Sequence, residues 1–181
     1  MEGYKMTVST PKKVYVQQHW TDDALMADSF HAYHPVKRIT MVRRLPAEEA
    51  PKIIETAGET LTAGAGYWIA YVAGKVLKET LDEYKPRPID PHVFAKTYRP
   101  WDEPKEKLSV TQVHLLRLGC QPHYKFASVR AKHLTAEAWI QGMESDEPML
   151  TPAGAWLCIG TEGEPWSVTD AWFQKHYVIH P

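Results

Sequence analysis

Leu61-Thr-Ala-Gly-Ala-Gly-Tyr-Trp-Ile-Ala-Tyr-Val-Ala-Gly74 aligns without a gap with Leu150-Thr-Pro-Ala-Gly-Ala-Trp-Leu-Cys-Ile-Gly-Thr-Glu-Gly163. Leu61 matches Leu150, Thr62 matches Thr151, Tyr67 matches Trp156 and Gly74 matches Gly163. Further on, Phe94-Ala-Lys-Thr-Tyr98 matches Phe173-Gln-Lys-His-Tyr177, and upstream Ile54 to Glu59 has a looser echo in Ile140 to Glu144. Self-similarity at this scale decides the architecture before any single element does. Gly163 to Phe173 is ten residues and Gly74 to Phe94 is twenty, so one copy carries an insertion within Lys75 to Pro88. Val76, Leu77, Thr80, Leu81 and Tyr84 lie there near helical spacing, which predicts a short helix.

The matched segments have a physical sense. Tyr67 to Val72 and Trp156 to Ile159 are aromatic and β-branched runs behind Gly-rich turns, which predicts strands. Gly74 and Gly163 then suit tight turns, where a positive φ costs glycine little. Asp90 and Thr169 occupy one aligned position and are both good helix N-caps, followed by Pro91 and Asp170 at the first helical position. Phe94 and Tyr98, like Phe173 and Tyr177, are four apart and share a helix face.

Outside the repeat, Val14 to Trp20, Ile39 to Arg44 and Leu108 to Leu118 read as strands. Thr21 to Tyr33 and Thr135 to Gln141 read as helices, the second ended by Gly142. The expected fold is α+β: two divergent copies of a small strand-rich unit with short edge helices, packed as one compact body. Residues 1–100 form the first copy with its N-terminal strand and helix, 101–107 a charged, Pro-bearing linker, and 108–181 the second copy. Halves of roughly 80 residues are better stabilised by a shared core than by two isolated ones.

Composition excludes several functions. The 181 residues are 44% apolar and 24% charged, which is ordinary for a globular chain. Twenty-one Lys+Arg against 22 Asp+Glu leave a net charge of −1, which argues against a nucleic-acid partner and against an acidic nucleic-acid mimic. The local cluster Lys37, Arg38, Arg43 and Arg44 is either a solvated face or a small anion site. Two cysteines are too few for a disulfide framework, and Cys158, within an apolar run, belongs in a core. The N-terminus lacks a signal-peptide stretch and no apolar run nears the roughly 20 residues of a membrane span. A cytoplasmic protein with no membrane partner is expected.

No sequence motif announces catalysis. His31 and His34 read as helix-end histidines without a third ligand, and His114, Cys120 and His123 are too scattered to make a metal site. Gly64-Ala-Gly66 belongs to the repeat turn and precedes no helix, so it is no dinucleotide loop. Glu162 and Glu164 read as solvated turn residues. No cofactor is implied. Tyr67 and Trp68, adjacent on a strand, face opposite ways, so one of them lines an open face or packs on the other copy.

The repeated unit resembles a family of small phage, prophage and bacterial proteins whose C-terminal part runs Gly-Asp-Tyr-Ile/Val, a few residues, Gly-Glu, then Phe-x-x-x-Tyr (a PGDYG-like pattern). The resemblance covers about Lys52 to Tyr98 and Trp139 to Tyr177, and is best kept from Ala155 to Trp166. The family-like Asp falls on Gly66 and Ala155, and Gly-Glu becomes Gly74-Lys75 but stays Gly163-Glu164. The resemblance implies a fold and a phage or mobile-element setting, in the host cytoplasm, and no particular catalytic activity. The expected function is a non-catalytic accessory protein that binds a host or phage protein. A small anionic ligand or nucleotide, bound or turned over, and a structural virion component are the alternatives. Candidate contact residues are Arg43, Arg44, Tyr67, Trp68, Trp156 and Trp166. The oligomeric state is left open.

Overall fold

The computed structural model describes residues 13–56 and 58–179, so residues 1–12 of the expected first copy lie outside the described residues. In chain order the elements are β1 (Val14–Tyr15), α1 (Asp22–Ala27), β2 (His31–Pro35), β3 (Ile39–Arg44), β4 (Lys52–Thr56), β5 (Glu59–Ala63), β6 (Trp68–Tyr71), β7 (Arg87–Ile89), α2 (Pro91–Thr97) and β8 (Tyr98–Pro100). There follow α3 (Val110–Arg117), β9 (Gln121–Lys125), β10 (Val129–His133), β11 (Ala138–Ile140), β12 (Met149–Thr151), β13 (Trp156–Ile159), β14 (Pro165–Val168), α4 (Asp170–His176) and β15 (Tyr177–Ile179). The chain is α+β, with strands predominating.

Two five-stranded sheets dominate, with orders β14-β13-β10-β2-β15 and β7-β6-β3-β9-β8. Each takes one interior strand from the other half of the chain. β2 lies between β10 and β15, and β9 lies between β3 and β8. Two three-residue crossings make this exchange, Val36 to Arg38 and Phe126 to Ser128. They are tied alike: Val36 N–H donates to the His176 carbonyl at 2.8 Å, and Phe126 N–H to the Thr97 carbonyl at 2.9 Å. β1, β11 and β12 form a small third sheet, and β4 and β5 a hairpin.

The cores follow from strand alternation. Met41, Ile69, Tyr71 and Leu115 of α3 pack on one face of the β3 sheet. Leu157 and Ile159 face Leu25 and Phe30 beside α1, while Trp156 and Cys158 face Phe173 of α4. All four residues of β13 are buried, so that strand is covered on both faces.

Several expectations change. Leu108 to Leu118 is not a strand but holds α3, because Ser109 and Gln112 close a capping box, each side chain accepting the other's backbone N–H at 3.2 and 2.8 Å. The helix predicted over Thr21 to Tyr33 stops at Ala27: Ser29 turns left-handed (φ 64°), Phe30 enters the core, and the chain continues as β2. Thr135 to Gln141 is not helical, since Trp139 and Ile140 pair with β1 and β12. Only Val14 and Tyr15 of Val14 to Trp20 are strand. Lys75 to Pro88 holds one 3-10 turn, Leu81–Tyr84, closed by a Thr80–Glu83 capping box. The expected linker is partly structured, with a 3-10 turn at Lys105–Lys107. Gly163 has the positive φ expected of it (75°), whereas Gly74 is absent from the positive-φ positions.

α1 and α3 end by one device. Ser29 (φ 64°) and Gly119 (φ 90°) each donate a backbone N–H to a last-turn carbonyl, of Met26 and Leu116. A left-handed residue with a Cβ costs about 1 kcal/mol, partly offset by the greater entropy that glycine loses. Ser29→Gly therefore raises stability by about 0.5 kcal/mol and Gly119→Ser lowers it by about 1 kcal/mol, read as opposite shifts of the urea unfolding midpoint.

Candidate functional site

The basic cluster does not converge. Arg43 is clasped by Glu49 through two hydrogen bonds of 2.8 and 2.6 Å, which hold the Glu49 carboxyl below its ordinary value. Arg44, the next residue of β3, faces the other side of the strand, with its guanidinium beside Gly66. Lys37 pairs with Asp102 and Glu103 and lies over the Trp101 and Tyr124 rings. Tyr67 packs on the Met41–Leu115 core, whereas Trp68 stacks on Phe94, so these neighbours serve different layers. His31 and His34 are on strand β2, not at a helix end. Cys120 is buried in the Met41–Leu115 core, and His114 contacts the Lys78 carbonyl.

Two aromatic stacks are built alike. Trp68, Phe94 and Tyr98 stack with centroids 4.1 and 5.2 Å apart, and His123 leans on Trp68 at 5.5 Å and Phe94 at 5.2 Å. Trp156, Phe173 and Tyr177 stack at 3.9 and 4.9 Å, and Tyr33 leans on Trp156 at 5.3 Å and Phe173 at 5.0 Å. In both, the fourth ring comes from the exchanged strand. The helix spacing Phe-x-x-x-Tyr thus sets ring on ring, a geometry adding about 0.5–1.5 kcal/mol per pair beyond burial. Trp156 corresponds here to Trp68 rather than to the aligned Tyr67. The register agrees, since Val42 pairs Ala70 where Ala131 pairs Cys158. Gly66 and Gly154, at φ 81° and 86°, also correspond, so the gapless alignment is displaced by one residue.

Chemistry gathers beside the second stack. Lys125, last in β9, is half-buried, and its ammonium donates to the Tyr177 hydroxyl at 2.6 Å. The same nitrogen stands 4.5 Å from the Trp166 ring centroid and 5.3 Å from that of Tyr177. Burial pushes the Lys125 pKa down to about 8, against the opposing pull of Cys158 and Glu164. Burial pushes Cys158 up to about 12 and raises the Tyr177 phenol well above its ordinary value. Tyr98, backbone partner of Lys125, is pushed up to about 12 by the same cause.

Glu164 is 9% exposed, not the solvated turn residue the sequence suggested. Its carboxylate accepts the Glu162 N–H at 2.8 Å and fills the space a Cβ on Gly160 would need. Burial raises its pKa. Glu162 pairs with Lys96, and Gln17 and Trp20 strap the turn through the Glu162 and Gly163 carbonyls at 3.2 Å each. Neighbouring Glu144 is raised to about 7, first by burial and further by Asp90 and Glu164. Of the residues singled out in the sequence, Trp156 and Trp166 belong to this cluster; Arg43, Arg44, Tyr67 and Trp68 do not. Lys125 escaped sequence reading because Gln121-Pro-His-Tyr-Lys125 has no strand alternation to mark it.

Above the cluster runs β15, the outer strand of its sheet, with Val178 and Ile179 52% and 66% exposed. Trp172 of α4, stacked on His176 at 3.8 Å, is also exposed. Open clefts of the surface include one of about 420 Å3 at Ala32, Ser128 and Gly160, next to the cluster, and one of about 530 Å3 at Tyr15, Asp28, Lys132 and Trp139. In the larger one, Asp28 accepts from Lys13, Tyr15 and Lys132, so its lysines are already paired. Among the described residues, no three His, Cys, Asp or Glu side chains are grouped to hold a metal ion, and no helix is long and apolar enough to cross a membrane. No family model matches the chain, nor does any curated protein or solved structure.

The lysine leaves a pH signature. Its folded pKa, about 8, lies below the ordinary 10.5, so the folded state holds fewer protons between those values. The stability it allows is full above 10.5 and lost as pH falls through 8. Lys125→Met removes this dependence: relative to wild type the variant is more stable at pH 7 than at pH 10 by on the order of 3 kcal/mol, measured by urea unfolding at both values.

Proposed function

We propose that this chain is two divergent copies of one unit and serves a phage or mobile element, in the host cytoplasm, by binding a host or phage protein along the outer edge of β15. The two-copy reading is supported by element order. α1-β2-β3-β4-β5-β6-β7-α2-β8 and α3-β9-β10-β11-β12-β13-β14-α4-β15 run in parallel, and each β-strand of the large sheets takes the equivalent place in its sheet order. The matching aromatic stacks support it again.

The observation that carries the binding reading is the contrast among the four outer strands of the two five-stranded sheets. β7, β8 and β14 contain Pro88, Pro100 and Pro165, and β15 alone has no proline within it. Proline and charge are the usual means of blocking an edge against another strand. β15 instead offers Tyr177, Val178 and Ile179, beside the exposed Trp172. An extended segment added there gains backbone hydrogen bonds, and Val178, Ile179 and Trp172 supply apolar contacts. Arg43 and Arg44, which would have served an anionic ligand, point apart and lend that alternative no support.

Purified from cells in which the element is active, the wild-type chain carries one protein in stoichiometric amount by native mass spectrometry. Rebinding of that purified partner is weakened at least tenfold, about 1.4 kcal/mol, in Val178→Pro/Ile179→Lys, and is unchanged in Arg99→Glu on the guarded β8 edge. A wild-type chain without a protein partner, or equal affinity in all three proteins, overturns the reading.

A further inference from the structure

The correspondence between the sheets supplies an internal control for the Lys125 cluster. Tyr98 pairs with Lys125 in one sheet as Tyr177 pairs with Pro35 in the other, so Pro35 holds the place of Lys125. Cys158 pairs with Trp166 as Ala70 pairs with Arg87, so Ala70 and Arg87 hold the places of Cys158 and Trp166. The aromatic stack recurs in both sheets; the lysine, which reaches across from the neighbouring sheet, meets the thiol and the indole beside one stack and has no counterpart beside the other. The fold thus closes without a cation at this position. Burying a lysine disfavours its charged form, and a group that opposes its own burial without a structural counterpart points to chemistry.

We propose that Lys125 is a reactive amine that condenses with small, uncharged aldehydes. The neutral Nζ attacks the carbonyl carbon and forms the C–N bond. The carbonyl electron pair moves to oxygen, which takes up one proton released from nitrogen to give the carbinolamine; its C–O bond then breaks as the nitrogen lone pair forms the C=N bond, and the departing hydroxyl takes up the second nitrogen proton and leaves as water. One amine and one aldehyde give one imine and one water, with no oxidant or reductant. Tyr177 Oη, 2.6 Å from Nζ, relays the proton between nitrogen and oxygen, and because its own pKa is held high it stays protonated and able to donate. The Trp166 ring, its centroid 4.5 Å from Nζ, occupies one side of the amine, which makes a small carbonyl the class proposed. The nearby Glu164 carboxylate disfavours an anionic one such as a 2-oxo acid. With its pKa pushed down to about 8, Lys125 holds more neutral amine at neutral pH than an ordinary lysine does.

The test uses the full chain, folded, at pH 7.5 with substoichiometric propanal and cyanoborohydride to trap the imine, followed by peptide mass mapping. The expected result is trapping at Lys125 on the order of tenfold or more above any other lysine peptide, a preference lost when the chain is unfolded in urea before labelling. In Tyr177→Phe, with its fold checked by near-UV circular dichroism, the rate at Lys125 falls several-fold and the rates elsewhere do not change. Labelling spread evenly over the lysines overturns the proposal, as does a Lys125 rate untouched by removal of the Tyr177 hydroxyl. The wild-type competition requires no variant to fold.

Discussion

Everything else in the molecule depends on the two crossings at Val36 to Arg38 and Phe126 to Ser128. A three-residue connection between adjacent strands would ordinarily close a hairpin. Here it opens out, and β2 and β3 end in different sheets, as do β9 and β10. β2 and β9 are interior strands, so removing either would free an outer strand, β15 or β8, from its sheet. Each crossing is pinned by a backbone hydrogen bond to the end of a neighbouring helix. A boundary near residue 100 is therefore a boundary in the sequence and not in the hydrogen-bonded sheets. Neither half encloses a complete five-stranded sheet, and at this size the shared interior offsets what two separate cores would lack.

On that frame, what the two sheets share and what they do not have different physical meanings. The stacks Trp68–Phe94–Tyr98 and Trp156–Phe173–Tyr177 recur because a short helix must be held against a sheet, and rings at four-residue spacing do this with large burial for few residues. The differences are concentrated near the second stack. Tyr33 is the leaning ring there, where the first stack has His123, whose pKa burial lowers. Lys125 replaces Pro35, and with it arrive Cys158, Trp166 and the buried Glu164. Trp156 also gains a hydrogen bond from its indole to Asp170 at 2.8 Å, where the corresponding helix starts with Pro91 and has no acceptor.

Local signals read well from sequence where the physics is local. The caps Asp90 and Thr169, the Phe-x-x-x-Tyr faces, the strands at Tyr67 to Val72 and Trp156 to Ile159, and the buried Cys158 all depend on neighbours a few residues away. Ser109 with Gln112 was an equally local signal for α3, but the apolar run after it read as a strand. β2, β9 and β11 were not legible, because what makes them strands is pairing with segments roughly a hundred residues away, and their own composition is mixed. The one-residue displacement between the sequence alignment and the sheet register has the same origin. Identity counting matched Leu61 and Leu150, while sheet register fixes Trp68 against Trp156. Lys125 belongs to the site only through the exchange: its strand comes from the second half into the first sheet, and its side chain returns across the seam to Tyr177.

Tyr177 joins the two proposed surfaces in one residue. It is the C-cap of α4, the first residue of the open edge strand, the last ring of the aromatic stack and the acceptor of the Lys125 hydrogen bond. Its ring is 4% exposed, so it cannot move without disturbing Phe173, which is itself fully buried. Packed interiors pass such displacements on rather than absorb them. A strand added along β15 must therefore either leave Tyr177 in place, fixing the environment of the lysine, or shift it and alter the contact that positions the amine. In both cases the proposed edge contact and the lysine are coupled through Tyr177. The corresponding edge of the other sheet, where Arg99 and Pro100 follow Tyr98 and no cation replaces Pro35, has neither half of that arrangement.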